Sequence, residues 1–93
     1  MYTYSQAVAE IIKEQQSVIG SLAFDQAKRV HGLLLVSETP LKLTITEDGK
    51  IVLGELVKQY SQIFGQASVE VCKEALKHLK PPPSRDDLPE ILR

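Results

Sequence analysis

Two stretches decide the fold when one is laid over the other: SQAVAEIIKEQQSVIGSLAFDQAKRV at residues 5–30 and KIVLGELVKQYSQIFGQASVEVCKEA at residues 50–75. At an offset of 45, Glu10, Lys13, Gly20 and Lys28 fall on Glu55, Lys58, Gly65 and Lys73. Identities are few, but the apolar positions correspond. Ala7, Val8, Ile11, Ile12, Val18 and Ile19 align with Val52, Leu53, Leu56, Val57, Ile63 and Phe64, and Phe24, Ala27 and Val30 with Val69, Cys72 and Ala75. Within each half the spacing is helical: positions 8, 11, 12, 15, 18 and 19 share one side of a 3.6-residue period, as do 53, 56, 57, 60, 63 and 64. Gln15 interrupts the first stripe where Tyr60 completes the second.

Gly20 and Gly65 follow the last periodic residue of each stripe, where a left-handed backbone closes a helix without a Cβ penalty. Ser21 and Ser68 are candidate caps for the helices that follow. Each half therefore reads as two helices joined by a glycine turn. Duplication and convergent patterning both produce such a match. The αα-hairpins follow from either, and only a pseudo-symmetry depends on a true repeat.

Between the halves the pattern changes. Residues 33–36 (LLLV) lead into the turn-like Ser37-Glu38-Thr39-Pro40, and residues 41–46 (LKLTIT) alternate apolar and polar side chains with period two. A two-stranded β-hairpin fits; it is marginal alone and needs a helical layer or a second copy over its apolar face. Glu47-Asp48-Gly49 reads either as a turn into a third strand at 50–53 or as an Asp48 cap on a helix beginning near Lys50. The repeat register favours the helix. The expected fold class is α+β, mainly helical, with two αα-hairpins flanking a short β-hairpin.

The C-terminal segment differs again. Pro81-Pro82-Pro83 cannot continue a helix and reads as an extended polyproline spacer. The expected organisation is a small helical domain over residues 1–79 and a proline-rich tail over 80–93. Leu88, Ile91 and Leu92 form a candidate docking segment at 87–92, read as a short helix that anchors in a groove of the same chain, a second copy or another protein. The bland reading of the same residues is a fraying end.

Composition narrows the chemistry. Eleven Lys+Arg against twelve Asp+Glu give a net charge of -1 over 93 residues, without the basic excess of a general nucleic-acid or anionic-membrane binder. One cysteine, Cys72, allows neither an internal disulfide nor a cysteine-based metal cluster. Apolar runs are too short for a membrane helix, and the N-terminal residues do not resemble a signal peptide, so a cytoplasmic location is expected.

Candidate reactive groups are sparse. His31 and His78 sit near expected helix ends, where an imidazole interacts with the last carbonyls and need do nothing else. Cys72 falls on an apolar face and reads as a core residue. Glu47-Asp48 and Asp86-Asp87 lie in a turn and a tail, without the fixed separation acid–base catalysis requires, and Glu10 and Glu14 read as a solvated helix face. No catalytic, cofactor-binding or metal-binding residue is assigned, and no small-molecule ligand is indicated.

The reading is a non-catalytic protein–protein interaction module, a small regulatory or adaptor protein whose target is a protein partner or a second copy in a homodimer. The alternative is a helix-turn-helix-like DNA-binding protein whose second helix, residues 22–31, presents Gln26, Lys28 and Arg29.

Overall fold

The computed structural model describes residues 3–93. Helix α1 spans Tyr4–Ile19 and α2 spans Leu22–Ala27. Strands β1 (Leu33–Ser37) and β2 (Lys42–Ile45) pair antiparallel, and α3 (Gly49–Phe64) and α4 (Gln66–Leu76) complete the domain. Two short 3-10 turns, Arg85–Asp87 and Glu90–Leu92, follow in the tail. The molecule is mainly helical, with a β-hairpin between two helical hairpins.

Local chemistry sets the helix ends. Thr3 and Gln6 form a reciprocal capping box at the start of α1. Asp48 accepts a hydrogen bond from the Ile51 amide and starts α3, so residues 50–53 are helix, as the repeat register requires. Gly20 and Gly65 end α1 and α3 at φ 67° and 74° with ψ -147° and -158°. This is not the left-handed helical region the sequence suggests but the extended positive-φ region that essentially only glycine occupies. No atom lies within 4 Å of a Cβ built at either glycine, so conformation rather than space requires them.

The two halves correspond in the long helices and in the positions they bury. The bounds of α1 and α3 differ by 45 at both ends, and the buried positions of one half recur in the other from Ala7/Val52 to Val30/Ala75. Two hydrogen bonds make the correspondence reciprocal. Gln15 Nε2 donates to the Ser68 carbonyl at 3.1 Å, and Tyr60 Oη donates to the Ala23 carbonyl at 2.8 Å. Residue 60 is the equivalent of 15, and 68 the equivalent of 23. Each long helix thus reaches across to the shorter helix of the opposite half, and the two halves interlock.

Ile11, Ile12, Leu53, Leu56 and Val57 meet at the centre of the core, all fully buried. Each buried aliphatic side chain contributes roughly 1.5–3 kcal/mol from the water it releases. The hairpin lays Leu41, Leu43 and Ile45 against this core, and β2 contacts α1.

Several expectations need correction. Val18 and Ile63, equivalent members of the two stripes, are 60% and 46% exposed, each in the last turn of its helix before the closing glycine. Gln15 does not break the buried face; it is inside it, 1% exposed. Neither serine caps a helix through its side chain: Ser21 stands at the start of α2 without a capping bond, and Ser68 is buried within α4, whose cap is Gly65. The second helix ends at Ala27 rather than 31, because Arg29 and Val30 donate to the carbonyls of Gln26 and Ala27 in tight i→i+3 turns that lead into β1. The tail forms two 3-10 turns rather than one helix from Asp87.

Candidate interaction surfaces

The tail is seated on the domain. Leu92 is 3% exposed, and Leu88 and Ile91 pack beside it against the core. The turn that carries Leu92 contacts α3 and α4. The receptor is shaped by Gly54, a glycine inside a helix, where it costs roughly 1 kcal/mol relative to alanine. A Cβ at Gly54 would meet Pro89 Cβ at 3.1 Å. The equivalent position in the first half is Ala9, so the glycine marks the place where the tail passes close to the helix.

Polar groups hold the other end of the segment. Tyr4 Oη donates to the Asp87 carbonyl at 2.8 Å and Lys50 Nζ to the Asp86 carbonyl at 3.1 Å. Burial and the nearby carboxylates of Asp87 and Asp48 push the Tyr4 phenol above its ordinary pKa. The Tyr4 ring also occupies the space a side chain at Gly49 would take, at 2.6 Å from a Cβ built there. Arg93 Nε donates to the carbonyls of Arg85 and Leu88 and folds the segment onto itself. Leu88, Ile91 and Leu92 were visible in the sequence as a docking motif. Tyr4, Lys50 and Pro89 were not, and only the mid-helix Gly54 hinted at a receptor.

A second surface lies on the hairpin. Leu34 and Val36 are 56% and 64% exposed on the face of the ribbon turned away from the core. Among the described residues the sheet has two strands, so each strand has an edge that no third strand pairs with. Residues of β1, Leu-Leu-Leu-Val-Ser, carry no charge, whereas β2 begins with Lys42. The pairing shifts between Leu35 and Ser37, leaving Val36 as the extra residue of a bulge.

The residues of the DNA-binding alternative do not form one reading face. Gln26 is 7% exposed, and its Oε1 accepts from Gln59 Nε2 at 2.8 Å. Lys28 and Arg29 lie beyond the end of a six-residue helix. The Lys28 ammonium stands 5.0 Å from the centroid of the Phe24 ring and 3.9 Å from Asp25.

The histidines and the cysteine are widely separated in role. His31 pairs with Glu47 at 3.2 Å and His78 with Glu14 at 3.7 Å, both in exposed positions. Cys72 is fully buried; burial pushes its thiol up to about 11, partly offset by the hydrogen bond from Gln15 Nε2 at 3.4 Å. A thiol so held is a poor nucleophile. Burial raises the Tyr60 phenol strongly, with a smaller contribution from Cys72. Among the described residues no three His, Cys, Asp or Glu side chains gather as a metal site, and no helix is long and apolar enough to cross a membrane. No family model, curated protein or solved structure matches this chain.

Proposed function

We propose that the protein is a non-catalytic interaction module that self-associates through its β-hairpin, in a regulatory or adaptor role. The observation that carries this reading is the exposed pair Leu34 and Val36 on a ribbon with open edges. A two-stranded sheet is marginal in water, and edge-to-edge pairing with another hairpin extends it to four strands and sets Leu34 and Val36 beside their counterparts on the same face. The β1 edge is the better candidate, because it lacks the lysine that discourages edge-to-edge pairing on β2. A second copy suits this edge: β1 against β1 is self-complementary under a two-fold axis, in the antiparallel sense.

Sedimentation of the full chain tests the proposal. The wild type is expected to shift from about 10 kDa toward twice that mass with rising concentration. Leu34→Lys with Val36→Lys should abolish the shift without altering helicity. A wild type that stays at monomer mass at millimolar concentration would remove the reading.

A further inference from the structure

We propose that two copies pair through β1 in one register, with the two-fold axis at Leu35. The Leu35 amide of each chain donates to the Leu35 carbonyl of the other, and Leu34 of each stands opposite the partner's Val36. The inference deepens the self-association reading above and rests on it.

The hydrogen-bond phase of the ribbon sets what the β1 edge can offer. Leu33 is paired with Ile45, Leu34 with Thr44 and Leu35 with Leu43. One step before them the Thr46 amide donates to the Gly32 carbonyl at 2.8 Å, so that pair is a hydrogen-bonded one. Hydrogen-bonded and non-hydrogen-bonded pairs alternate along an antiparallel ladder. Leu34 therefore directs its amide and carbonyl to Thr44, while Leu33 and Leu35 direct theirs away from β2. The Leu33 amide is taken by the Val30 carbonyl at 3.3 Å. Beyond Leu35 the bulge sets both Val36 and Ser37 against Lys42, on the β2 side. The edge is thus reduced to the Leu33 carbonyl and the two backbone groups of Leu35. Among the described residues no backbone bond outside the ladder reaches Leu35.

A single residue that offers a donor and an acceptor together is matched by its own copy under a two-fold axis. The two Leu35 residues then exchange both bonds, and neither ribbon gives up a bond of its own. The side chains agree with this register. Leu34 and Val36 flank Leu35 on the outward face, 56% and 64% exposed. With Leu35 opposite the partner's Leu35, Leu34 falls opposite the partner's Val36 on both sides of the axis. These are non-hydrogen-bonded positions, where Cβ atoms approach most closely, about 4.5–5.5 Å. Every exposed aliphatic side chain of the two β1 strands is then paired, in a cluster bordered by the exposed Lys42 and Thr44 of each ribbon. No like charges meet, because β1 carries none. The neighbouring two-fold register sets Leu34 opposite the partner's Leu34. It joins the Leu35 amides to Leu33 carbonyls but leaves the Leu35 carbonyls unpaired and Val36 facing the partner's Gly32.

Wild-type chain tests the register without a substitution. In an equimolar mixture of isotope-labelled and unlabelled chain, at a concentration where sedimentation finds dimer, filtered NOEs should connect Leu34 methyls of one chain to Val36 methyls of the other. Contacts of Leu34 with the partner's Leu34 and none with the partner's Val36 overturn the register and leave the hairpin dimer standing. A dimer without intermolecular contacts at either residue overturns both. A chain that sediments only as monomer removes the self-association reading, and the register with it.

Cross-linking supplies a second readout. Leu34→Cys and Val36→Cys chains mixed in a glutathione redox buffer should yield about tenfold more disulfide dimer than either variant alone. Opposite sites are about 4.5 Å apart at Cα, whereas Leu34 and the partner's Leu34 lie on a diagonal of about 7–8 Å, beyond disulfide reach. Leu34→Cys chains that oxidise alone as readily as the mixture overturn the proposal.

Discussion

Tyr60→Phe tests the interlock between the two halves. Tyr60 is fully buried, and its hydroxyl donates to the Ala23 carbonyl at 2.8 Å. Phenylalanine keeps the ring and its packing, so the substitution removes one oxygen and one hydrogen bond. A buried intramolecular hydrogen bond is worth about 1 kcal/mol net, more if the abandoned carbonyl cannot reach water. At that size, the midpoint of thermal unfolding of a domain this small falls by about 4–8 °C. Equilibrium urea unfolding followed by circular dichroism measures the loss directly: the midpoint should fall while the slope against denaturant is unchanged. A Tyr60→Phe chain as stable as the parent would show that the bond joining α3 to α2 contributes nothing, and the reciprocal arrangement would lose its energetic meaning.

Three further outcomes follow from the same core. Gln15→Met removes the bond to the Ser68 carbonyl but also withdraws an amide from the interior, so its cost should be below that of Tyr60→Phe and within about 1 kcal/mol by urea unfolding. Gly20→Ala and Gly65→Ala should each cost about 1–3 kcal/mol in the same assay, because alanine does not tolerate positive φ with extended ψ; a neutral result at either would mean that the turn rearranges freely. The Cys72 thiol, with its pKa raised to about 11, should resist a disulfide reagent at pH 8 in the native protein and react fully in denaturant. Between its ordinary pKa near 9.0 and its folded value the unfolded chain binds fewer protons, so stability should fall as pH rises through that window and be unaffected by this group below it.

What could be read from the chain depended on how local the cause was. The extents of α1 and α3 follow from a 3.6-residue period, the Asp48 cap and two glycines, all acting within a few residues. The fate of side chains at the edges of a stripe does not. Periodicity places Val18 and Ile63 on the apolar side, but whether a neighbour covers them depends on how the helices pack, and they remain 60% and 46% exposed. Gln15 is the converse case: a polar residue is admitted to the core because a carbonyl from the opposite half meets it.

By itself, then, the sequence determined the helical hairpins, the ribbon between them, the offset that relates the halves and the apolar anchors of the tail. Each is written in spacing and turn chemistry along a continuous stretch. Only the tertiary structure decided that the halves interlock through Gln15 and Tyr60, that Leu34 and Val36 remain uncovered, and that Gly54 receives Pro89. Those outcomes join residues far apart in the chain, and their physical basis is the shape and hydrogen-bonding capacity of surfaces that exist only after the helices have packed.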